Sequence, residues 1–220
     1  IIKNGAKKII CVLDENSLPD ERFHTGNKLQ SDNYEYILQK LLSEQDLGVI
    51  FKPKHFYSLY KRLGNVSKIL DQAIQTGRCY VYGMDEDTIY ATNATPSLAA
   101  LSSDLVVHSH LCAGTAAIEC ALIGKPTIFI DRENSNASIF HEILGTDHIF
   151  KDWNSFIDVL DKSFFNTKIG IGNWGEIVNL FDPYQDNRSS ERIGNFLNSL
   201  SNNLDIGLSV NDSLEKSMSI

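Results

Sequence analysis

The chain has 220 residues, a formal net charge of −8 and 42% hydrophobic residues. This composition suits one well-buried core or at most two small ones. The acidic balance argues against nucleic acid as a main partner, and no apolar run approaches the roughly 20 residues that span a bilayer. The start, IIKNGAKKIICVLDE, lacks a signal-peptide pattern. Because it begins at Ile and enters a strand almost at once, we expect a piece of a longer protein. The four cysteines show no metal-ligand spacing, which predicts buried, reduced thiols in a cytoplasmic protein.

The first half of the chain alternates short apolar runs with helical patterns. The runs are rich in β-branched and aromatic residues and predict strands, whereas apolar residues at helical spacing predict helices. The predicted strands are Lys8 to Leu13, Leu47 to Phe51 and Cys79 to Tyr82. One predicted helix starts at the capping residue Asp32, and two others cover Asn65 to Gln75 and Ser97 to Leu101. The polar loop from Asn16 to Gln30 is long enough to indicate a function.

The segment from Asp104 to Asp131, DLVVHSHLCAGTAAIECALIGKPTIFID, organises the rest of the chain. It predicts, in order, a buried strand over 105–107, the polar loop His108-Ser109-His110, the pair Gly114-Thr115, a helix over 116–123 closed by Gly124 and Pro126, and a second buried strand that ends on Asp131. Such a βαβ unit points the free N–H groups of its helix start at the carboxyl edge of the sheet, where an anion can bind.

Further helices and one short strand are predicted after this unit. The helices are Ser138 to Leu144, Trp153 to Leu160, Trp174 to Phe181 and Ser189 to Leu200, with a strand at His148 to Phe150. Strands that alternate with helices predict an α/β fold, a Rossmann-like open parallel sheet with helices on both faces. We expect this domain to cover residues 1–200. The Ser- and Asn-rich residues 201–220 predict a disordered tail.

Several familiar nucleotide and hydrolase motifs are missing. The dinucleotide pattern GxGxxG, the Walker pattern GxxxxGK[ST] and the serine-hydrolase elbow GxSxG do not occur in a suitable context. What remains is the anion site at Gly114-Thr115, with Glu119 four residues after Thr115 on the same helix face. A carboxylate at that position can accept two hydroxyl hydrogen bonds from a ribose while the helix start holds phosphate.

Three blocks of the sequence resemble a known family. AALSSDLVVHSHLCAGTAAIECALIGKPTIFID is similar to the "strand, His/Ser-rich loop, Gly-Thr, Glu, Gly-Lys-Pro, strand" block of the GT-B nucleotide-sugar glycosyltransferases, in their C-terminal, donor-binding half. Lys52-Pro53-Lys54-His55 resembles the Lys-Pro-His segment of bacterial capsule and Kdo-transferase-like members, and Asp186 to Arg192 resembles a terminal-helix block of surface-polysaccharide enzymes. Where those enzymes often have Gly, this chain has Asn187, which also tolerates a left-handed backbone.

The resemblance implies a role for each matching residue. His110, His55 and Lys52 would be catalytic and would neutralise the leaving phosphate. Nucleotide-sugar binding would fall to His108, Ser109, Gly114, Thr115, Glu119 and Asp131. The donor would be a CMP- or UDP-linked sugar, with no metal and no further cofactor, and the acceptor a growing surface glycan. An N-terminal acceptor half would complete the enzyme, so we expect this half to be inactive or nearly so alone. Peripheral association of the whole protein with the inner face of a membrane would follow from the polysaccharide role.

Each of these residues also has a structural interpretation. Glu119 could be a solvated helix carboxylate, the histidines could make ordinary loop hydrogen bonds, and Gly114 could serve a tight turn. Arg188 and Arg192 could pair with nearby carboxylates such as Glu191 at little energetic gain. Asp14 and Glu15 could face the cleft or coordinate a cation, whereas Asp85-Glu86-Asp87 predicts a solvated loop.

Two other functions stay open at this point. A UDP-sugar epimerase would share the fold but needs catalytic groups that we do not find in this sequence. A non-catalytic scaffold with a degenerate nucleotide pocket is the alternative from the class of binding modules.

Overall fold

A single sheet of six parallel strands forms the centre of the unit Ile1–Phe181 in a computed structural model, which describes residues 1–19, 25–84, 94–163 and 170–218. The strands are β1 (Lys8–Leu13), β2 (Leu47–Lys52), β3 (Cys79–Val81), β4 (Leu105–His108), β5 (Thr127–Ile130) and β6 (Ile149–Phe150). Their spatial order is β3-β2-β1-β4-β5-β6, and every described pairing is parallel. The chain moves outward in one direction from β1 and in the other from β4, so the carboxyl ends of these two strands flank the topological switch point, where ligands bind in open α/β sheets.

Helices cover both faces of this sheet, as the alternation of patterns predicts. The helices before the last strand are α1 (Asn27–Ser43), α2 (Leu59–Leu63), α3 (Ser67–Gln75), α4 (Pro96–Leu101), α5 (Thr115–Leu122) and α6 (Phe140–Ile143). Helix α7 (Trp153–Ser163) comes after it, and α8 (Ser189–Asp205) and α9 (Val210–Met218) belong to a second unit that is described by itself below. The predicted Rossmann-like α/β fold is therefore confirmed.

The side-chain alternation along the strands places buried apolar clusters on both faces of the sheet. On one face Val12 and Phe51 pack with α1, α3 and α7, and the Phe51 ring stacks on Tyr34 with 4.5 Å between ring centroids. On the other face Cys11 and Ile50 pack with α4 and α5. Both faces are covered, which explains why the strands are continuous apolar runs rather than alternating ones.

The described element boundaries differ from the predicted ones at several points. Helix α1 begins at Asn27, directly after Gly26, and so takes in the end of the stretch predicted as a loop. The turn Phe56–Ser58 and helix α2, which follow the Lys-Pro-Lys-His segment, had no clear periodic signal. The predicted helix from Trp174 to Phe181 is a 3-10 helix over Gly175–Leu180.

The chain divides into two compact units, Ile1–Phe181 and Asp182–Ile220. In the second unit the structure corrects the prediction of a disordered tail over 201–220, because α8 continues to Asp205 and α9 spans Val210–Met218. Sparse apolar residues suggested disorder. The two helices are instead joined by small polar groups, with Asn203 Nδ2 donating to Ser217 Oγ at 3.1 Å and Ser217 Oγ donating to Ser199 Oγ at 3.1 Å.

Three of the four cysteines are buried, as the sequence predicts. These are Cys11, Cys79 and Cys120, but Cys112 is exposed because it lies in a short 3-10 turn after β4 rather than inside a helix. None of the described helices is both long and apolar enough to cross a bilayer. No three His, Cys, Asp or Glu side chains among the described residues are grouped so as to hold a metal ion.

Candidate functional site

A buried polar network lies at the carboxyl end of β1, with Asp14 at its centre. The Asp14 Oδ2 atom accepts hydrogen bonds from Gln30 Nε2 and from Tyr34 Oη, both at 2.9 Å, and lies 3.5 Å from Arg62 Nη2. The other oxygen, Oδ1, accepts the backbone N–H of Lys54 at 2.5 Å. Burial raises the pKa of Asp14, against the opposing effect of the Arg62 guanidinium and these donors. The hydrogen bonds described for this carboxylate therefore join β1 to α1, α2 and the β2 end; none of them reaches an open cleft.

Gln30 continues this network to the end of β4. Its Oε1 atom lies 2.6 Å from His110 Nε2, while its amide nitrogen is engaged by Asp14. Because the amide oxygen can only accept, we infer that His110 carries a hydrogen on Nε2. The ring is fully buried, so His110 does not meet a ligand directly in this arrangement.

The far side of the His110 ring faces Glu133, which follows the end of β5. His110 Nδ1 lies 3.5 Å from Glu133 Oε2, Thr25 Oγ1 donates to Glu133 Oε1 at 2.9 Å, and the Cys112 thiol donates to Oε2 at 3.3 Å. Burial acts to raise the pKa of Glu133, but these three partners outweigh it and hold the pKa below its ordinary value. No motif in the sequence singles out Gln30, Thr25 or Glu133, and the one available signal is the position of Glu133 just after a predicted strand.

His108 and Ser109 secure the end of β4. The backbone N–H of His110 donates to His108 Nδ1 at 3.2 Å, and burial, followed by the neighbouring His110, lowers the pKa of His108 to about 3. A neutral, buried ring is poorly placed for the predicted contact with a nucleotide-sugar. The Ser109 hydroxyl and backbone N–H both donate to the Leu13 carbonyl, at 3.2 and 3.3 Å, so this serine joins β4 to β1.

Lys52 and His55 lie at the carboxyl end of β2. Lys52 and His108 flank Leu13 in the register of neighbouring strands, which brings both to the same edge of the sheet. Lys52 is buried and its Nζ donates to the Pro53 carbonyl at 3.2 Å. The half-buried His55 ring lies 5.6 Å from the Tyr57 ring, centroid to centroid. The structure thus places the two residues near the predicted edge but does not bring His55 to His110.

Gly114 and Thr115 form the start of α5 as predicted, and packing accounts for the glycine. A Cβ on Gly114 would lie 2.3 Å from Phe140 Cε2 and 2.6 Å from Phe140 Cζ, so no larger residue fits without movement of that ring. Gly114 has an ordinary helical φ of −66°, so backbone freedom is not the reason. Thr115 is exposed, and the N–H of Ala117 already donates to the Gly114 carbonyl at 3.1 Å. The N–H groups of Thr115 and Ala116 precede the first hydrogen bond of the helix, as at any helix start.

Glu119, one turn into α5, binds the start of α4. Its Oε1 atom accepts from the Ser97 hydroxyl at 2.5 Å and from the Ser97 backbone N–H at 3.2 Å. Thr95, whose Oγ1 accepts the N–H of Leu98 at 3.1 Å, caps that helix. The carboxylate therefore already accepts a hydroxyl hydrogen bond of the kind that a ribose would supply.

Asp131 organises the loop after β5. Its two carboxylate oxygens accept the backbone N–H of Ser135 at 3.0 and 3.1 Å, and His141 Nε2 lies 3.2 Å from Oδ2. A pocket with a volume of about 390 Å³ opens beside Asp131, and another of about 480 Å³ is lined by Cys112 and by residues 133–138.

The remaining predicted residues are surface pairs or lie outside the described residues. In the second unit Arg188 pairs with Glu191, with Nη2 2.6 Å from Oε1, and Arg192 pairs with Asp186, with Nη2 2.5 Å from Oδ2. These surface ion pairs account for both arginines without a functional role. Asn187 has a φ of 61°, the left-handed backbone that its position predicts. Glu15 pairs with Lys54. The acidic run 85–87 lies outside the described residues.

Comparison with known proteins gives one structural relative. No known protein family matches the chain, and no curated protein matches it. A structure of S. aureus MnaA with UDP has a similar fold, with a TM-score of 0.52, 13% sequence identity, and 91% of this chain and 47% of that chain covered. The chain therefore spans about half the length of that protein. At this identity the likeness concerns the fold alone, a Rossmann-like α/β unit that matches one half of the GT-B architecture.

Proposed function

We propose that the chain is the donor-binding half of a GT-B type glycosyltransferase, which transfers a sugar from a nucleotide-sugar to a growing surface glycan. The observation that carries this proposal is the geometry between α4 and α5. The exposed start of α5 at Thr115 stands one turn from Glu119, and this carboxylate already accepts a hydroxyl hydrogen bond from Ser97. The fold is similar to that of a structure with UDP, which supports a nucleotide as the ligand.

The phosphates and the ribose of a nucleoside diphosphate each have a counterpart in this geometry. The phosphates would meet the N–H groups and the positive dipole end of α5, together with the Thr115 hydroxyl. The ribose hydroxyls would replace the Ser97 hydroxyl on Glu119, which exchanges one hydrogen bond to the carboxylate for another. We favour UDP over CMP as the nucleotide because the similar structure binds UDP.

The remaining predicted residues take supporting roles in this proposal. His110 is fully buried, so it would act through Glu133 rather than on the phosphate itself. Lys52 remains a candidate for the leaving phosphate, because it ends β2 at the same sheet edge. The attacking hydroxyl and its general base would belong to the N-terminal half, and this half alone should transfer no sugar.

A UDP-sugar epimerase is the second candidate function, because a UDP-bound structure of similar fold is consistent with an epimerase as well as with a glycosyltransferase. The two are distinguished by incubating the full-length protein with a UDP-sugar and no acceptor, followed by proton NMR. Formation of a second UDP-sugar would favour the epimerase. If the UDP-sugar stays unchanged until a glycan acceptor is added and is consumed only then, the result would favour the transferase.

A thermal-shift screen tests the nucleotide site. The protein is heated with CMP, CDP, UDP, GDP or ADP, and UDP at about 100 times its dissociation constant should stabilise it by roughly 2.7 kcal/mol. Glu119→Gln keeps the size of the side chain, removes its charge and should abolish most of the shift. Glu142→Gln, a change at an exposed carboxylate on α6, is the matched control and should leave the shift intact. An equal shift in wild type and Glu119→Gln would refute the ribose assignment.

A further inference from the structure

The pocket of about 480 Å³ next to the start of α5 has an unusual lining. Cys112 lies on one side of it, three positions before Thr115, and the loop of residues 133–138 forms the other side. Of the described side chains that line it, Glu133 alone bears a full charge at neutral pH, and Asn134, Ser135, Asn136 and Ser138 supply amides and hydroxyls. A pocket of this volume is within the usual range for small-molecule sites, and its polar groups can both donate and accept.

The Glu133 carboxylate is held in place rather than free to rotate. Its side chain is 6% exposed, Thr25 donates to one oxygen at 2.9 Å, and His110 Nδ1 lies 3.5 Å from the other. The network through Gln30 and Asp14 fixes the His110 ring in turn. Groups held in this way lose little entropy when a ligand binds, and they act as oriented hydrogen-bond acceptors.

The Cys112 thiol donates a hydrogen bond to Glu133, and a donor group of a ligand can easily take its place. It is exposed, and its Sγ lies 3.3 Å from Glu133 Oε2. Partial burial, and then the Glu133 charge, raise the pKa of the thiol to about 12, so it is a neutral S–H group, a weak donor. A hydroxyl or amino group of a ligand would make a stronger hydrogen bond to the same carboxylate.

We propose that this pocket binds the sugar moiety of the donor and that Glu133 accepts hydrogen bonds from its hydroxyl or amino groups. The site therefore takes neutral or amino sugars and rejects sugar acids, because an acidic sugar would bring a second carboxylate against Glu133 in a partly desolvated pocket. The proposal rests on the proposed function, because the pocket lies next to the start of α5, where the phosphates would bind.

Calorimetric titration with UDP, UDP-glucose and UDP-glucuronate tests the proposal, because the two UDP-sugars differ only in the oxidation of one carbon. In the wild type we expect UDP-glucuronate to bind at least about tenfold more weakly than UDP-glucose, the size of effect that a hydrogen bond to a charged group provides. Glu133→Gln should bring the two dissociation constants within about threefold of each other and leave the affinity for UDP unchanged. Glu142→Gln, the matched control, should keep the wild-type ratio.

The outcomes separate the two proposals. If UDP itself does not bind, the proposed function fails and this inference fails with it. If UDP binds but Glu133→Gln leaves the ratio unchanged, only the assignment of the sugar pocket is overturned. Should Glu133→Gln lose its fold, Cys112→Ser decides: the stronger hydroxyl donor should compete with the sugar and weaken UDP-glucose binding while UDP affinity is retained. Unchanged UDP-glucose affinity in Cys112→Ser would overturn the assignment.

Discussion

Replacement of Gly114 by Ala distinguishes a packing role from an anion-binding role for this glycine. The added Cβ would lie 2.3 Å from Phe140 Cε2 and 3.2 Å from Phe129 Cε1, well inside van der Waals contact. The Phe140 ring cannot move away cheaply, because it packs between Phe129, with 4.8 Å between centroids, and Phe181, at 6.3 Å. We therefore expect Gly114→Ala to lower the free energy of unfolding.

The magnitude follows from known overpacking effects. An extra methyl group in a packed core costs about 1–3 kcal/mol, and the lower entropy that alanine leaves to the unfolded chain returns about 0.4–1 kcal/mol. The net loss of roughly 0.5–2.5 kcal/mol corresponds to a fall in Tm of about 1–10 °C for a protein of this size. Circular dichroism during heating and in urea measures both quantities.

Two controls make the result specific. Gly145→Ala, at a glycine with open space around its Cβ position and no positive φ, should leave the Tm nearly unchanged. Shortening the ring with Phe140→Leu in the Gly114→Ala background should recover about 1 kcal/mol by double-mutant coupling. A Gly114→Ala protein with an unchanged or higher Tm would refute the packing argument.

Three further predictions concern stability and reactivity. Arg78 donates to the carbonyls of Leu41, Glu44 and Leu47 at 3.0, 2.6 and 2.8 Å, so Arg78→Met should cost about 2–4 kcal/mol in urea unfolding. The pKa of His108 falls from 6.5 to about 3 on folding, so between these values the unfolded state binds more protons. Unfolding free energy should therefore decrease as pH falls from 6.5, by up to about 1.4 kcal/mol per unit, and His108→Gln should flatten this dependence. The raised pKa of Cys112 predicts slow alkylation by iodoacetamide at pH 8, measured by mass spectrometry, and Glu133→Gln should accelerate it.

The fold could be predicted from the sequence because strand burial leaves a direct trace in composition. Both faces of the sheet are covered, so residues 9–13 and 105–107 are continuous apolar runs, short and rich in β-branched residues, as buried parallel strands require. The helices α8 and α9 were harder to predict. Their interface uses Ser217 and Asn203, residue types that also favour disorder, and only the pairing of the two helices makes their hydrogen bonds possible.

The candidate site was predicted in outline but not in its interior contacts. Strand ends identify His110 and Asp131 as neighbours of one sheet edge. The sequence gives no distance between Gln30 and His110, which are 80 positions apart and meet only in the folded chain, where α1 brings Gln30 to the loop after β4. The sequence also predicted that Asp131 binds a ligand. Its carboxylate instead accepts the Ser135 N–H, and Glu133 lines the pocket.

Backbone NMR during titration with UDP tests most directly the central claim that a nucleotide binds at the carboxyl edge of the sheet between α4 and α5. The account predicts saturable amide shifts at residues 95–98 and 112–119, with the largest at Ser97 and Thr115, and their loss in Glu119→Gln. Saturation without shifts in these residues, or shifts confined to the opposite edge around Gly124, would contradict it.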